Sequence, residues 1–145
     1  MARYLLDTNV LLRAAAPKSA HHAAAVEAIK RLLAGGDELF LAPQVLVEFW
    51  SVATRPIQVN GYGWPAKDAE AKVAELLRQF PLLPETAAVF PEWLQLVSQH
   101  GILGKQVHDA RLVALLNVHG VPRLLTFNVE DFQRYGTLAV SPEQV

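Results

Sequence analysis

Residues 4–12 read YLLDTNVLL, an apolar run that stops for Asp-Thr-Asn and then resumes. Burying Asp7 without compensation would cost several kcal/mol, so water or a partner must be near it. RYLL (3–6) has the look of a short buried strand, and NVLLRAA (9–15) of a helix that starts directly after it. Asp7 therefore sits just past the carboxyl end of the first expected strand.

The same alternation continues outward from this stretch. HHAAAVEAIKRLLAGG (21–36) is an Ala-rich amphipathic helix closed by Gly35 and Gly36. ELFLA (38–42) is a second strand, and Pro43 suits the first turn of a helix running to about Thr54. IQVNGYGWP (57–65) reads as a loop, and a helix from Pro65 to Phe80 follows it. PLLP (81–84) fits a small third strand, PRLLTF (122–127) a fourth and GTLAV (136–140) a fifth. Helices over 86–100 and 106–119 each end His-Gly, placing a cation and a left-handed cap at the carboxyl end. Strands spaced by helices imply a parallel sheet covered on both faces. Ligands of such sheets bind outside the carboxyl ends of the strands.

The chain has 145 residues, the size of one domain, with 52% hydrophobic and 19% charged residues, which excludes a disordered protein. Thirteen Lys and Arg stand against 14 Asp and Glu, so bulk charge makes no case for nucleic acid. Cys is absent, which removes thiol chemistry. No apolar run reaches the roughly 20 residues of a membrane span, and the start does not resemble a signal peptide, so a cytoplasmic protein is expected.

Three further acids stand out. Glu48 lies in APQVLVEFWSVA among apolar neighbours, Asp109 lies in line with Leu112, Val113 and Leu116, and Asp131 closely follows the fourth strand. Each has a plain structural alternative. Asp7 could cap the next helix, Asp109 could complement its helix dipole, Glu48 could pair with an Arg, and Asp131 could be a solvated loop acid. Together, Asp7, Glu48 and Asp109 fall where an α/β fold could bring them to one mouth. Two carboxylates about 4 Å apart repel by about 4 kcal/mol at an effective dielectric of 20, so such a cluster needs a cation or shared protons. Oxygen ligands without Cys favour a hard ion, Mg²⁺ or Mn²⁺, which suits phosphodiester displacement.

Four pieces in register, LLDTNVLL, APQVLVEFWSVATR, VHDARLVALL and LLTFNVEDF, span essentially the whole chain. In them the sequence resembles the PIN-domain ribonucleases, especially the VapC-like toxin subunits of type II toxin–antitoxin pairs. The resemblance implies a three-layer α/β/α sandwich with a central, mostly parallel sheet of four to five strands, as a single domain over residues 1–145. It implies Asp7, Glu48 and Asp109 as catalytic residues and ligands of Mg²⁺ or Mn²⁺. The fourth acidic position falls to Asn128 or to Asp131, because Thr126 is followed by a neutral amide. Thr8, Asn9, Thr126 and Asn128 would support the site. Hydrolysis by activated water would leave a 5′-phosphate.

Contacts to an RNA substrate would come from Arg13, Lys105 and Arg111, and also from Arg55 and Arg134. Tyr62 and Trp64 could stack a base, or could cover the core or a dimer surface. His108 beside Asp109 reads as a local packing or capping residue. A homodimer and a small VapB-like antitoxin are the partners the resemblance implies. A haloacid-dehalogenase-like phosphatase would need a second acid two residues after the first, where this chain has Asn9. The alternatives are a PIN-fold binding module with weak or lost catalysis and a structure-specific DNA nuclease.

Overall fold

Successive residues of a strand face opposite sides of a sheet. In strand β1 (Arg3–Leu6), Leu5 and Leu6 are both wholly buried, so both faces of the sheet are covered, as a parallel sheet requires. The computed structural model describes residues 1–136 and 138–145. β1 lies between β2 (Glu38–Phe40) and β3 (Arg123–Leu125), and β4 (Ala139–Val140) borders β3. All three pairings are parallel, with Tyr4 opposite Leu39 and Arg123, and Leu125 opposite Val140.

Two expected strands are shorter than their sequences suggest. PLLP contributes one parallel bridge, Leu41 to Leu82, in place of a strand. Its flanking prolines carry no N–H to extend a ladder. The fifth expected strand, 136–140, reduces to β4, and Thr137 lies outside the described residues.

The helices among the described residues are α1 (Thr8–Ala14), α2 (His22–Ala34), α3 (Pro43–Thr54), α4 (Ala66–Gln79), α5 (Val89–His100) and α6 (Val107–His119). α5 begins three residues later than the sequence suggests, after a turn at 87–88. Gly101 (φ 60°) and Gly120 (φ 64°) supply the expected left-handed caps of α5 and α6. α6 buries Ala110 and Leu112–Leu116, which leaves it apolar on most sides and sets it deep in the fold.

The 57–65 segment folds back over the end of α3. Its N–H groups at Tyr62, Gly63 and Trp64 donate to the carbonyls of Val52, Arg55 and Ala53 at 3.1, 2.8 and 2.8 Å. These are carbonyls that a helix end leaves without intrahelical partners. Only glycine fits at position 61, because a Cβ there would lie 1.9 Å from the Arg55 carbonyl oxygen. Trp64 meets Phe49 edge-on at 6.0 Å, and the Tyr62 hydroxyl donates to the Leu12 carbonyl at 3.0 Å. Of the alternatives for these two aromatics, their contacts match the one in which they cover the core.

Candidate acidic site at the carboxyl end of the sheet

Asp7 leaves β1 with its backbone fixed on both sides. Its N–H donates to the Leu125 carbonyl at 3.0 Å, one step beyond the β1–β3 register. Its carbonyl accepts the N–H groups of Val10 and Leu11 at 3.1 and 3.3 Å, which opens α1. The residue is 7% exposed. Oδ1 accepts the Thr8 N–H at 2.7 Å, and Oδ2 accepts the Thr126 hydroxyl at 2.8 Å and the Asn9 amide at 3.3 Å. Asp7 is thus both the helix cap that its position suggests and a buried carboxylate.

Asn9 and Thr126 form the frame around it. The Asn9 amide also donates to Thr126 Oγ1 at 3.1 Å, and Asn9 Oδ1 accepts the Phe127 N–H at 2.9 Å. Thr126, wholly buried, accepts the Asn128 N–H at 3.0 Å. Asn128 therefore touches the frame through its backbone. Thr8 Oγ1 is buried without a hydrogen-bond partner among the described residues, directly beside Asp7.

The other acids approach from three separate elements. Glu48 stands on α3, Asp109 in the first turn of α6, and Asp131 in the 3₁₀ segment Val129–Tyr135. Glu48 is exposed, which corrects the apolar setting suggested by its sequence neighbours. The faces of α3 that bury Val45, Phe49 and Ala53 point away from it. Asp109 is half-buried, and Asp131 is exposed.

The charges feel one another. Burial pushes the Asp7 carboxyl from 3.8 up to about 6, helped by Glu48 and Asp109 and opposed by the bonds from Thr126 and Thr8. Burial likewise raises Asp109 to about 6, helped by Asp131 and Glu48 and opposed by His108 and Arg134. Among the described residues the ion pairs are Lys72–Glu75 and Arg111–Glu85, and none of the four acids belongs to either.

Hard oxygen donors, mutual repulsion and two raised pKa values fit a divalent cation of the Mg²⁺ type. Among the described residues no three His, Asp or Glu side chains already ring a point where an ion could sit. An ion would have to draw the acids inward, and the rotatable Glu48 side chain on the rim allows that.

The cations around the mouth differ in availability. Arg13 lies over the Phe127 ring at 4.9 Å with no carboxylate paired to it among the described residues. Lys105 is exposed in the 3₁₀ turn Gly104–Gln106 that leads into α6. Arg111 is already engaged, donating to Glu85 Oε2 at 2.9 Å and Gln44 Oε1 at 3.0 Å. Arg134 donates to Gln106 at 3.3 Å. The His108 carbonyl accepts the Gln44 amide at 2.9 Å, a contact that joins α6 to α3. Pro43, Gln44, Val47, Glu48, His108 and Arg111 line a hollow of about 370 Å³. Gln44 and Glu85 are not among the residues to which the sequence pointed. The i, i+4 spacing of Gln44 to Glu48 on one helix was the signal available for Gln44.

The chain is similar to known proteins in sequence and in fold. A family model described as PIN domain matches residues 4–138. The chain is 30% identical over 136 residues to Ribonuclease VapC24 of Mycobacterium tuberculosis, covering 90% of each protein. Its fold is similar to that of VapC20 of M. tuberculosis, described as a sarcin–ricin-loop-cleaving toxin. The TM-score is 0.68 at 21% identity, over 94% of this chain and 98% of that one. It is also similar to a chain of VapBC2 from Rickettsia felis, solved with a promoter DNA fragment, with a TM-score of 0.71 at 18% identity over 96% and 98% of the two chains. A parallel sheet that delivers an acid at the end of its first strand, and a family match over nearly all of its length, lead to one assignment: this chain belongs to the PIN-domain family.

Proposed function

We propose that this protein is a divalent-metal-dependent endoribonuclease and the toxin component of a type II toxin–antitoxin pair. The observation that carries the reading is Asp7, a buried, fully framed carboxylate that shares its field with Glu48 and Asp109 and has no cationic partner among the described residues. The names of VapC24, a ribonuclease, and VapC20, a toxin that cleaves the sarcin–ricin loop, support it.

Asp7, Glu48 and Asp109 would hold Mg²⁺ or Mn²⁺. Asp131 supplies the fourth negative charge, because it acts on Asp109, whereas Asn128 is neutral. When bound, the ion supplies charge to phosphoryl oxygens and makes water a better nucleophile. The chain's own residues do the rest. Thr8, Asn9 and Thr126 fix the Asp7 carboxylate. Asp109 would accept a proton during attack on the phosphodiester. Arg13, whose guanidinium lies 4.9 Å from the Phe127 ring centre with no carboxylate paired to it among the described residues, would meet a backbone phosphate, as would Lys105.

The partner would be a VapB-like antitoxin, as in the VapBC2 complex of R. felis and the toxin–antitoxin complex of Klebsiella pneumoniae. An apolar hollow of about 460 Å³ beside Glu48, lined by Leu46, Val47, Trp50, Ser51 and Val73, suits an apolar segment of such a partner. We also propose a homodimer and a cytoplasmic setting. No helix among the described residues is long and apolar enough to cross a membrane.

The test is cleavage of structured RNA, including a sarcin–ricin loop, and of matched single-stranded DNA, each with Mg²⁺, Mn²⁺ or EDTA. Asp7→Asn protein, checked for folding, runs alongside. Metal-dependent RNA cleavage with 5′-phosphate products that is lost in the variant is expected. Cleavage of DNA alone would replace the substrate. Cleavage of neither, with metal bound, would favour a binding module.

A further inference from the structure

One side-chain chain links the helix carrying Glu48 to the helix carrying Asp109. Gln44 lies one turn before Glu48 on α3 and donates to Glu48 Oε1 at 3.3 Å. The same amide nitrogen donates to the carbonyl of His108, adjacent to Asp109, at 2.9 Å. Gln44 Oε1 accepts from Arg111 at 3.0 Å, and Arg111 is fixed from its other side by Glu85 at 2.9 Å. The orientation of the amide is forced. An arginine has no acceptor and a carbonyl no donor, so the oxygen must face Arg111 and the nitrogen must face His108.

Gln44 thus spends both N–H donors and its oxygen on the same task. It aims an otherwise exposed Glu48 and locks the first turn of α6 against α3. We propose that Gln44 is a positioning residue that sets Glu48 relative to Asp109, through the relay Glu85–Arg111–Gln44–Glu48. This rests on the nuclease reading above. It also gives Arg111 a role inside the protein in place of contact with substrate.

The experiment compares Gln44→Met, which keeps length and volume, with Gln44→Glu, which keeps the acceptor for Arg111 but removes both donors. Glu48→Gln and Arg111→Met serve as references. Mn²⁺ affinity is read by calorimetry without RNA, alongside kcat and KM on RNA and a melting temperature. Both Gln44 variants are expected to weaken Mn²⁺ binding and lower kcat by about tenfold, the lower end of what loss of a ligand-orienting contact costs, with KM unchanged. The double variant Gln44→Met/Arg111→Met should lose no more than the larger single loss, because both cut one relay. Unchanged Mn²⁺ affinity and kcat in the Gln44 variants, with both reduced in Glu48→Gln, overturns the relay alone. Unchanged values in Glu48→Gln overturn the nuclease site on which it rests. A raised KM in Arg111→Met with normal Mn²⁺ binding would return Arg111 to the substrate and also overturn the relay.

Discussion

Asp7→Asn should make the metal-free protein more stable at neutral pH. Asp7 is 7% exposed, and its pKa stands at about 6 against an ordinary 3.8. At 1.36 kcal/mol per pKa unit, keeping it ionised in the fold costs about 3 kcal/mol above pH 6. Because the folded pKa is raised, the stability is complete below about pH 3.8 and is lost as pH rises through about 6. Asparagine is nearly the same shape and carries no charge. Its oxygen can still accept one bond, while its amide must face a hydroxyl or an N–H donor, a mismatch of about 1 kcal/mol. The net gain is about 2 kcal/mol at pH 7.5, or about 6 °C in Tm for a chain of this size. Urea and thermal unfolding in EDTA between pH 4 and 8 measure it. The gain should shrink to nothing, or reverse, near pH 4. A variant no more stable than the parent at pH 7.5, or a gain that does not depend on pH, would refute the reasoning that burial of the charge dominates this site.

Mg²⁺ or Mn²⁺ should raise the melting temperature at pH 8 and do so less at pH 5.5, because protons compete for Asp7 and Asp109 below about 6; Asp7→Asn should largely abolish the rise. Thr126→Val removes a hydroxyl bond that lowers the Asp7 pKa, so the acid limb of the pH–activity profile should move to higher pH, with stability reduced by about 2 kcal/mol in urea titrations. Gly61→Ala forces a Cβ against the Arg55 carbonyl and should cost about 3 kcal/mol, read as a lower urea midpoint.

Much of the frame was legible because it rests on local rules. The alternation of apolar runs with amphipathic ones located the central strand and the helices, and the strand-to-acid junction at Asp7 pointed to the mouth of the sheet. Pro43 opened α3 as expected, and the two His-Gly endings closed α5 and α6 with left-handed glycines. Errors came where a neighbour list replaced three-dimensional direction. Glu48 has apolar residues beside it in sequence, yet helical geometry turns Val45 and Phe49 inward and Glu48 outward. Pro81 and Pro84 limit the third strand to a bridge, a constraint that a count of Leu residues hides. For Trp64 the sequence left base stacking, the core and a dimer surface open, and the structure shows the loop capping α3 and laying the ring on Phe49. The hydrogen bonds of Gln44 join residues 64 and 67 positions apart on two helices, beyond the reach of local sequence periodicity.

The central place of β1 has a temporal consequence. Its partner on one side is β2, but its partner on the other is β3, and the hydroxyl that frames Asp7 comes from Thr126, 119 residues later in the chain. A polypeptide still emerging from the ribosome can pair β1 with β2 and form the first helices. It cannot set Asp7 until residue 126 is free, nor join Asp109 to it before α6 has docked. Non-local parallel pairing of this kind is slow to form. The acidic mouth is therefore among the last parts of this fold to assemble, so a nascent chain holds no finished site until residue 126 has left the ribosome.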